Sequence, residues 1–323
     1  MKAFAPVLLV AALLACVPIV TSSSLVLNFL VTALLLALLG QSWNVLGGYG
    51  GQYSFGHAAF FGTGAYANAI LQVRYGINAW LAFCVGVAAG AFVGAVIGAL
   101  CFRSGLRGSY FALVTLAFAE VLRIIASVAP ITGAGVGTLI GLDLRPEAFQ
   151  FQARAPFYWI MLGLVAVSLV LVRVIENSRF GAWLVAVREN EDAASALGID
   201  VFRMKLAAMT ISAAIAAAAG GFYAQYFLFV DAGIAYGSRV SVEALLAAII
   251  GGLGTLSGPL LGAVVIKTFG ELTKLIAGDA PGLDLVFYGG MLIVVVAFAP
   301  RGIAGLLADI RDRVARGVAA VAA

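Results

Sequence analysis

Residues able to do chemistry are scarce in this chain of 323 residues, and most of them stand in small groups. Ser54 and His57 are three apart, a spacing that puts a hydroxyl and an imidazole on one face of a helix. A hydrolytic pair of this kind needs an acid to orient the imidazole and donors for an oxyanion, and no such motif stands near it. His57 is the only histidine, so a metal site there would lack its second ligand. Glu120 and Arg123 also share a helix face, as a pair that either neutralises itself inside a bundle or steers a zwitterion along a path. The glycines of "GGYGGQYSFGHAAFFGTGAY" (47–66) suggest a phosphate cradle, but no Lys-Ser/Thr follows a GxxxxG frame, so there is no P-loop. Paired aspartate-rich motifs for magnesium-pyrophosphate substrates are missing as well. Neither catalytic residues nor a metal site are expected, which excludes an intramembrane protease and a prenyl-transfer enzyme. The last group is the most polar long stretch of the chain, "RFGAWLVAVRENEDAASALGID" (179–200), which gathers Glu189, Glu191 and Asp192 beside Arg179 and Arg188.

The elements that must position these groups are membrane helices. The chain is 63% hydrophobic and 11% charged, with a mean hydropathy of +1.09, too few charges to cover a soluble core of this size. Apolar runs recur along its length, at roughly 4–20, 25–46, 54–73, 79–102, 109–129, 156–175, 206–230, 241–253, 257–276 and 283–299. The reading is an all-α polytopic bundle of about ten crossings, one transmembrane domain over 1–323. The eighth run is short for about 30 Å of hydrocarbon and is expected to be a half-helix or re-entrant segment meeting its partner at "GGLGTLSGP". Lys2 and the apolar run after it resemble a signal peptide, and "LLAC" up to Cys16 a lipoprotein box; with so many later spans, an uncleaved first helix is the better reading. Cys16, Cys84 and Cys101 lie in apolar runs at unrelated spacing and read as small buried hydrophobes.

Lys and Arg accumulate in cytoplasmic loops. With the N-terminus inside, Lys2, Arg103, Arg107, Arg179, Arg188, Arg203, Lys205, Arg301, Arg311, Arg313 and Arg316 fall on one side. The other side holds Arg74, Arg145, Arg154, Arg239 and Lys274, beside several acids. This bias predicts N-in and C-in, with a cytoplasmic loop at 176–205 and a short basic cytoplasmic tail at 301–323 that lies on the membrane surface. The longest polar gap outside is about 130–155.

Gly86, Gly90, Gly94 and Gly98 recur every fourth residue, and Gly254, Gly258 and Gly262 repeat the spacing; each row is a smooth strip for close helix packing. The glycines of 47–64 are irregular and mixed with polar groups. Irregular backbone at membrane depth is tolerated where protein buries it or where it lines a cavity, so a broken or tightly packed helix near a central pathway is expected there. Polar groups within spans are costly and mark candidates for function. The candidate path residues are Asn44, Gln52, His57, Glu120 and Arg123. Glu243, Lys267 and Glu271 are read as lying near span ends, where they snorkel.

In "DAASALG", Asp192, Ala193 and Ala194 stand ahead of Gly198, a pattern that resembles the EAA-xxx-G loop of ABC importer permeases, with Asp192 where that family usually has Glu. The Ile-x-Leu-Pro ending of the generic motif does not follow Gly198. Together with "GQYSFGHAAFFGTGAY" (51–66), "RGSYFALVTLAFAEVLR" (107–123), "SRFGAWLVAVRENEDAASALGID" (178–200), "GGLGTLSGPLLGAVV" (251–265) and "FAPRGIAGL" (298–306), it is similar over nearly the whole chain to the permeases of high-affinity branched-chain amino-acid importers, the LivM-like subunit. That resemblance implies a transport subunit, not an enzyme, in a bacterial or archaeal inner membrane. It implies a sister permease, two cytoplasmic ABC ATPases and a periplasmic solute-binding protein as partners, with no nucleic acid. It places ATP and magnesium on the partner ATPase, with no cofactor bound by this chain. The helix at 187–199, through Glu189, Glu191, Asp192, Ala193, Ala194 and Gly198, is then expected to take up the ATPase's motion. Relatives of this kind also carry urea, short amides or aromatic acids, so the solute stays open. An ion-coupled secondary transporter is the alternative of another class.

Overall fold

The computed structural model describes residues 14–20, 23–277, 283–299 and 301–306. These residues are mostly helical: α1 (Ser24–Trp43, continued by a wider π turn, Asn44–Tyr49), α2 (His57–Tyr75), α3 (Ala79–Arg103), α4 (Gly108–Val128), α5 (Ala155–Glu176), α6 (Arg179–Glu189), α7 (Glu191–Ala196), α8 (Val201–Phe227), α9 (Ala232–Ala235), α10 (Ser238–Gly251), α11 (Gly258–Ala277) and α12 (Leu283–Phe298). Six segments among the described residues are long and apolar enough to cross a membrane: Ser24–Tyr49, Ala79–Arg103, Gly108–Val128, Ala155–Glu176, Val201–Phe227 and Ala232–Gly251. These match six of the ten expected runs. The run at 4–20 falls largely outside the described residues, as does the basic tail beyond 306.

The eighth run differs from expectation. It is lengthened by α9 and the turn at Tyr236–Gly237, so that Ala232–Gly251 makes a segment of 20 residues rather than an isolated half-helix. Asp231 starts this extension, its Oδ1 accepting from the backbone N–H of Gly233 at 2.5 Å and of Ile234 at 3.1 Å.

Small residues set the packing. The glycine row of α3 lies along α8: a β-carbon at Gly90 would strike Ala217, one at Gly94 would strike Ala213, and one at Gly98 would sit 3.0 Å from Met209 Sδ. Beside that row on α8, a β-carbon at Gly220 would strike the Phe61 carbonyl of α2, and one at Gly64 of α2 would strike the Ala217 carbonyl. Helices α2, α3 and α8 thus meet at backbone distance, where van der Waals contact replaces the hydrophobic drive that lipid cannot supply. Gly258 and Gly262 do the same for the α10–α11 hairpin, against the Gly252 and Ala247 carbonyls.

One end of the bundle is closed by the expected polar gap. Thr138–Leu139 (β1) pairs antiparallel with Phe229–Val230 (β2). Asn78 and Trp80 at the start of α3 donate to the carbonyls of Glu147 (3.0 Å) and Pro146 (2.9 Å), and the Trp80 ring stacks on Phe149 at 4.1 Å. On this cap the Arg145 guanidinium donates to Asp143 and holds its carboxyl below the usual carboxylate range.

Candidate functional site

The polar segment folds as two short helices, where the sequence suggested one over 187–199. Ser178 caps α6, its Oγ accepting from the Gly181 N–H at 3.1 Å. Asn190 then leaves the helical region (φ −159°, ψ 110°) and caps α7, its Oδ1 accepting from the Ala193 N–H at 2.9 Å. Glu191 and Asp192 occupy the first turn of α7, where acids complement the helix dipole. The chain leaves α7 through Gly198, at φ +82°, with the Ile199 N–H donating to the Ala194 carbonyl at 3.1 Å. This left-handed exit favours glycine. Asp200 caps the next helix, α8, by accepting from the Arg203 N–H at 3.0 Å.

Of the expected docking residues, two turn inward. Ala194 is buried, and Glu191 is the anchor of α7. Its carboxylate binds Arg107 Nε, at the start of α4, at 2.9 Å and Lys205 Nζ on α8. Lys205 is only 4% exposed and lies 5.6 Å from the Phe102 ring centroid. Removing the carboxylate would leave that ammonium buried without its partner, a loss of about 3–5 kcal/mol for such pairs. Arg107 and Lys205 were invisible as site residues in the sequence, because their partner is distant along the chain. The other side of α7 is open: Ala193 and Gly198 are exposed and Leu197 is 81% exposed, while Asp192, also exposed, accepts from Arg107 Nη2 at 3.4 Å. Small side chains around one protruding leucine form a surface on which another protein can pack closely.

A second set of contacts runs from α6 into the bundle. Arg188 donates through Nη1 to the Gly48 carbonyl at 2.9 Å, and Glu189, exposed beside it, accepts from Arg188 Nη2 at 2.6 Å. Gly48 belongs to the π turn that ends α1. The same turn is tied to the α10–α11 loop by Asn44, whose Nδ2 donates to the Thr255 carbonyl at 3.0 Å and whose Oδ1 accepts from the Gly254 N–H at 2.8 Å. Gly48 permits this, since a β-carbon there would collide with Asn44 Oδ1 and with the backbone of Gly254. Tyr49, the last residue of the turn, donates to Glu176 at the end of α5 at 2.6 Å. The expected broken helix is therefore present as a wide turn that joins α1, α5, α6 and the α10–α11 hairpin.

The candidate path residues separate into two groups. Asn44, Gln52 and His57 are buried within this chain's own packing. Ser212 donates to the Ser42 carbonyl at 2.7 Å, so His57 Nε2, 2.9 Å from Ser212 Oγ, is the donor of that pair. Ser54 accepts from the Gly56 N–H instead, so Ser54 and His57 make no hydrolytic pair. Glu120 and Arg123 do pair, Arg123 donating through Nε at 2.9 Å and Nη2 at 2.5 Å. They stand on the outer face of α4, beside exposed Val121 and Ile124.

A cleft of about 380 Å³ opens elsewhere, between α1, α2, α8, α10 and α11. Its walls include Leu36, Phe61, Tyr223 and Val240, and its charged groups are Arg239, Glu243 and Lys267.

Residues 25–296 match the family model described as branched-chain amino acid transport system / permease component. The chain is 30% identical over 290 residues to the high-affinity branched-chain amino acid transport system permease protein LivM of Escherichia coli (strain K12), covering 82% of this chain and 67% of the relative. It is 27% identical to a probable branched-chain amino acid transport permease protein LivH of Methanocaldococcus jannaschii, over 78% of this chain and 83% of that one. It is 24% identical to the fructose import permease protein FruF of Bifidobacterium longum, over 73% and 67%. No solved structure matches.

Proposed function

Because the chain belongs to the family of branched-chain amino acid transport system permease components, we propose that it is the membrane subunit of an ATP-driven importer of branched-chain amino acids. It forms the solute path with a sister permease, receives solute from a periplasmic binding protein, and is driven by two cytoplasmic ATPases that carry the ATP and magnesium. Its membrane is the inner membrane of a bacterium or archaeon. The open face of α7, Asp192, Ala193, Leu197 and Gly198, is the surface on which an ATPase docks.

The observation that carries this reading is that α7 is held rigidly on one side and left bare on the other. A solvated surface loop has no need of a buried Lys205–Glu191 pair. A force-bearing element does, since motion applied at Leu197 has to reach the spans without being absorbed. Two routes lead inward: Glu191 to α4 and α8, and Arg188 to the π turn of α1. Alternating access then follows when ATP-driven closure of the ATPases displaces these tethers together.

The solute rests on the names of the relatives, and a fructose permease stands among them, so a sugar is the second reading. Affinity purification of the tagged full chain from its native membrane, followed by mass spectrometry, tests the assembly. Two P-loop ATPases and a second, similar permease are expected in the eluate. A folded chain that reproducibly purifies alone, with ion-dependent solute uptake, would replace this reading with a secondary transporter.

A further inference from the structure

Three glycines from two distant parts of the chain surround one side chain of α6. Arg188 Nη1 donates to the Gly48 carbonyl at 2.9 Å. A β-carbon at Gly51 would stand 2.5 Å from Arg188 Cγ and 3.4 Å from its Cα, and one at Gly254 would stand 3.4 Å from Nη1. Gly51 and Gly254 lie at φ +66° and +67°, where any other residue is strained. One turn earlier on α6, Leu184 rests on the same segment, its Cδ1 3.5 Å from where a β-carbon of Gly50 would lie.

The two halves of this seat move as one piece. Asn44 locks the π turn to the α10–α11 loop with both ends of its amide, at 3.0 Å and 2.8 Å. Behind the loop, Lys267 Nζ on α11 faces Glu243 on α10 at 3.6 Å. Lys267 is the tenth of the 20 residues of α11, not near a span end as the sequence suggested, so it ties the hairpin at mid-length. Force travels through such contiguous hydrogen-bonded and packed groups, and a push on Arg188 reaches α1 and the hairpin at once. The turn it grips is a π turn, a rare backbone form concentrated at functional sites.

The two tethers of the polar segment differ in kind. Glu191 closes on Lys205, 4% exposed, so breaking that pair strands a buried charge. Arg188 is 36% exposed and is held by one backbone carbonyl and by Glu189, itself 68% exposed. Its loss leaves Glu189 in water and strands no charge inside the bundle. The guanidinium forks between an inner and an outer acceptor, a geometry that the point charge of lysine does not copy.

We infer that Arg188 is the joint between the polar segment and the spans: seated on Gly48, Gly51 and Gly254, it passes displacement of α6 to α1 and the α10–α11 hairpin together, and without it ATP hydrolysis continues uncoupled from transport. The inference rests on the importer reading and adds which contact of this chain hands the motion on. Arg188 is thus a positioning residue, acting through the elements it holds.

The test uses the whole native transporter in vesicles, with its binding protein, ATP on the ATPase side and radiolabelled leucine or fructose as solute. Uptake, ATP hydrolysis and the amount of assembled complex are read together. Arg188→Met is expected to lower uptake at least tenfold, within the range of a coupling free energy between sites, with hydrolysis within about twofold of wild type and the complex present in full. Arg188→Lys keeps the charge without the fork and is expected to recover less than about half of the uptake. Gly51→Ala reaches the same end from the other side, since its methyl group would push Arg188 off the seat and leave the guanidinium intact. A packing role predicts instead that complex, hydrolysis and uptake fall in parallel. That result overturns the inference, as does normal uptake in Arg188→Met, and both leave the importer reading standing. Wild-type vesicles that move neither solute, from a chain that purifies without ATPases, overturn the importer reading and the inference with it.

Discussion

Placing a valine at Gly220 is expected to reduce the folded chain in the membrane at least tenfold. The β-carbon would run into the Phe61 carbonyl and come within 3.1 Å of the Ala65 nitrogen. Both are backbone atoms of α2, so no side chain can rotate out of the way. Relief requires α2 and α8 to separate, and α8 is also locked to the glycine row of α3. Overpacking in an adjustable core costs about 1–3 kcal/mol. Here, where three helices would have to shift, the loss exceeds that range and is large against a total stability of about 5–15 kcal/mol. Gly163 on α5, with nothing within 4 Å of an added β-carbon, is the control, and Gly163→Val should accumulate normally. Fluorescence-detected size-exclusion of tagged chains reads both. A Gly220→Val chain with a wild-type peak would show that the α2–α8 contact is looser than described.

Gly198→Trp is expected to abolish uptake, to a tenth or less, while the chain inserts and folds normally. Two facts separate the effects. Gly198 has no atom within 4 Å of an added β-carbon, so the free chain has room for the indole. Its φ of +82° makes any other residue strained, by about 1–2 kcal/mol, which an exposed loop absorbs. The indole would nevertheless stand on the open face of α7, between the exposed Leu197 and whatever docks there. Normal yield with lost uptake locates the fault at an interface. Normal uptake in this variant would remove α7 from the coupling route.

The glycine row of α3 was legible because a period of four is a statement about one helix alone; of the second row only Gly258 and Gly262 lie on α11, and Gly254 stands in the loop before it at φ +67°. What the α3 row packs against was not, since Ala213 and Ala217 look like any alanines of a small-residue helix. The polar segment at 179–200 showed in its composition, and so did its exit glycine. Its division into α6 and α7 was also written there, as Asn190 followed by two acids, a cap signal that a continuous helix reading passes over. Glu191 as an anchor was hidden because its partners, Arg107 and Lys205, arrive through tertiary packing. The same limit hid Glu243–Lys267. Their spacing of 24 residues means nothing until α10 and α11 fold back on each other in one particular register. Ser54 and His57 show the reverse case: a helix spacing suggested a pair, but Ser54 lies before the helix starts and His57 turns to Ser212.

The most direct test of the coupling account is a photo-reactive benzophenone side chain introduced at Leu197, irradiated in native membranes and followed by identification of the product. The account predicts one main adduct, to a cytoplasmic P-loop ATPase, weakened by Gly198→Trp in the same chain. An adduct to lipid alone, or none in a membrane where the transporter is active, would contradict the claim that α7 is the surface through which this permease is driven.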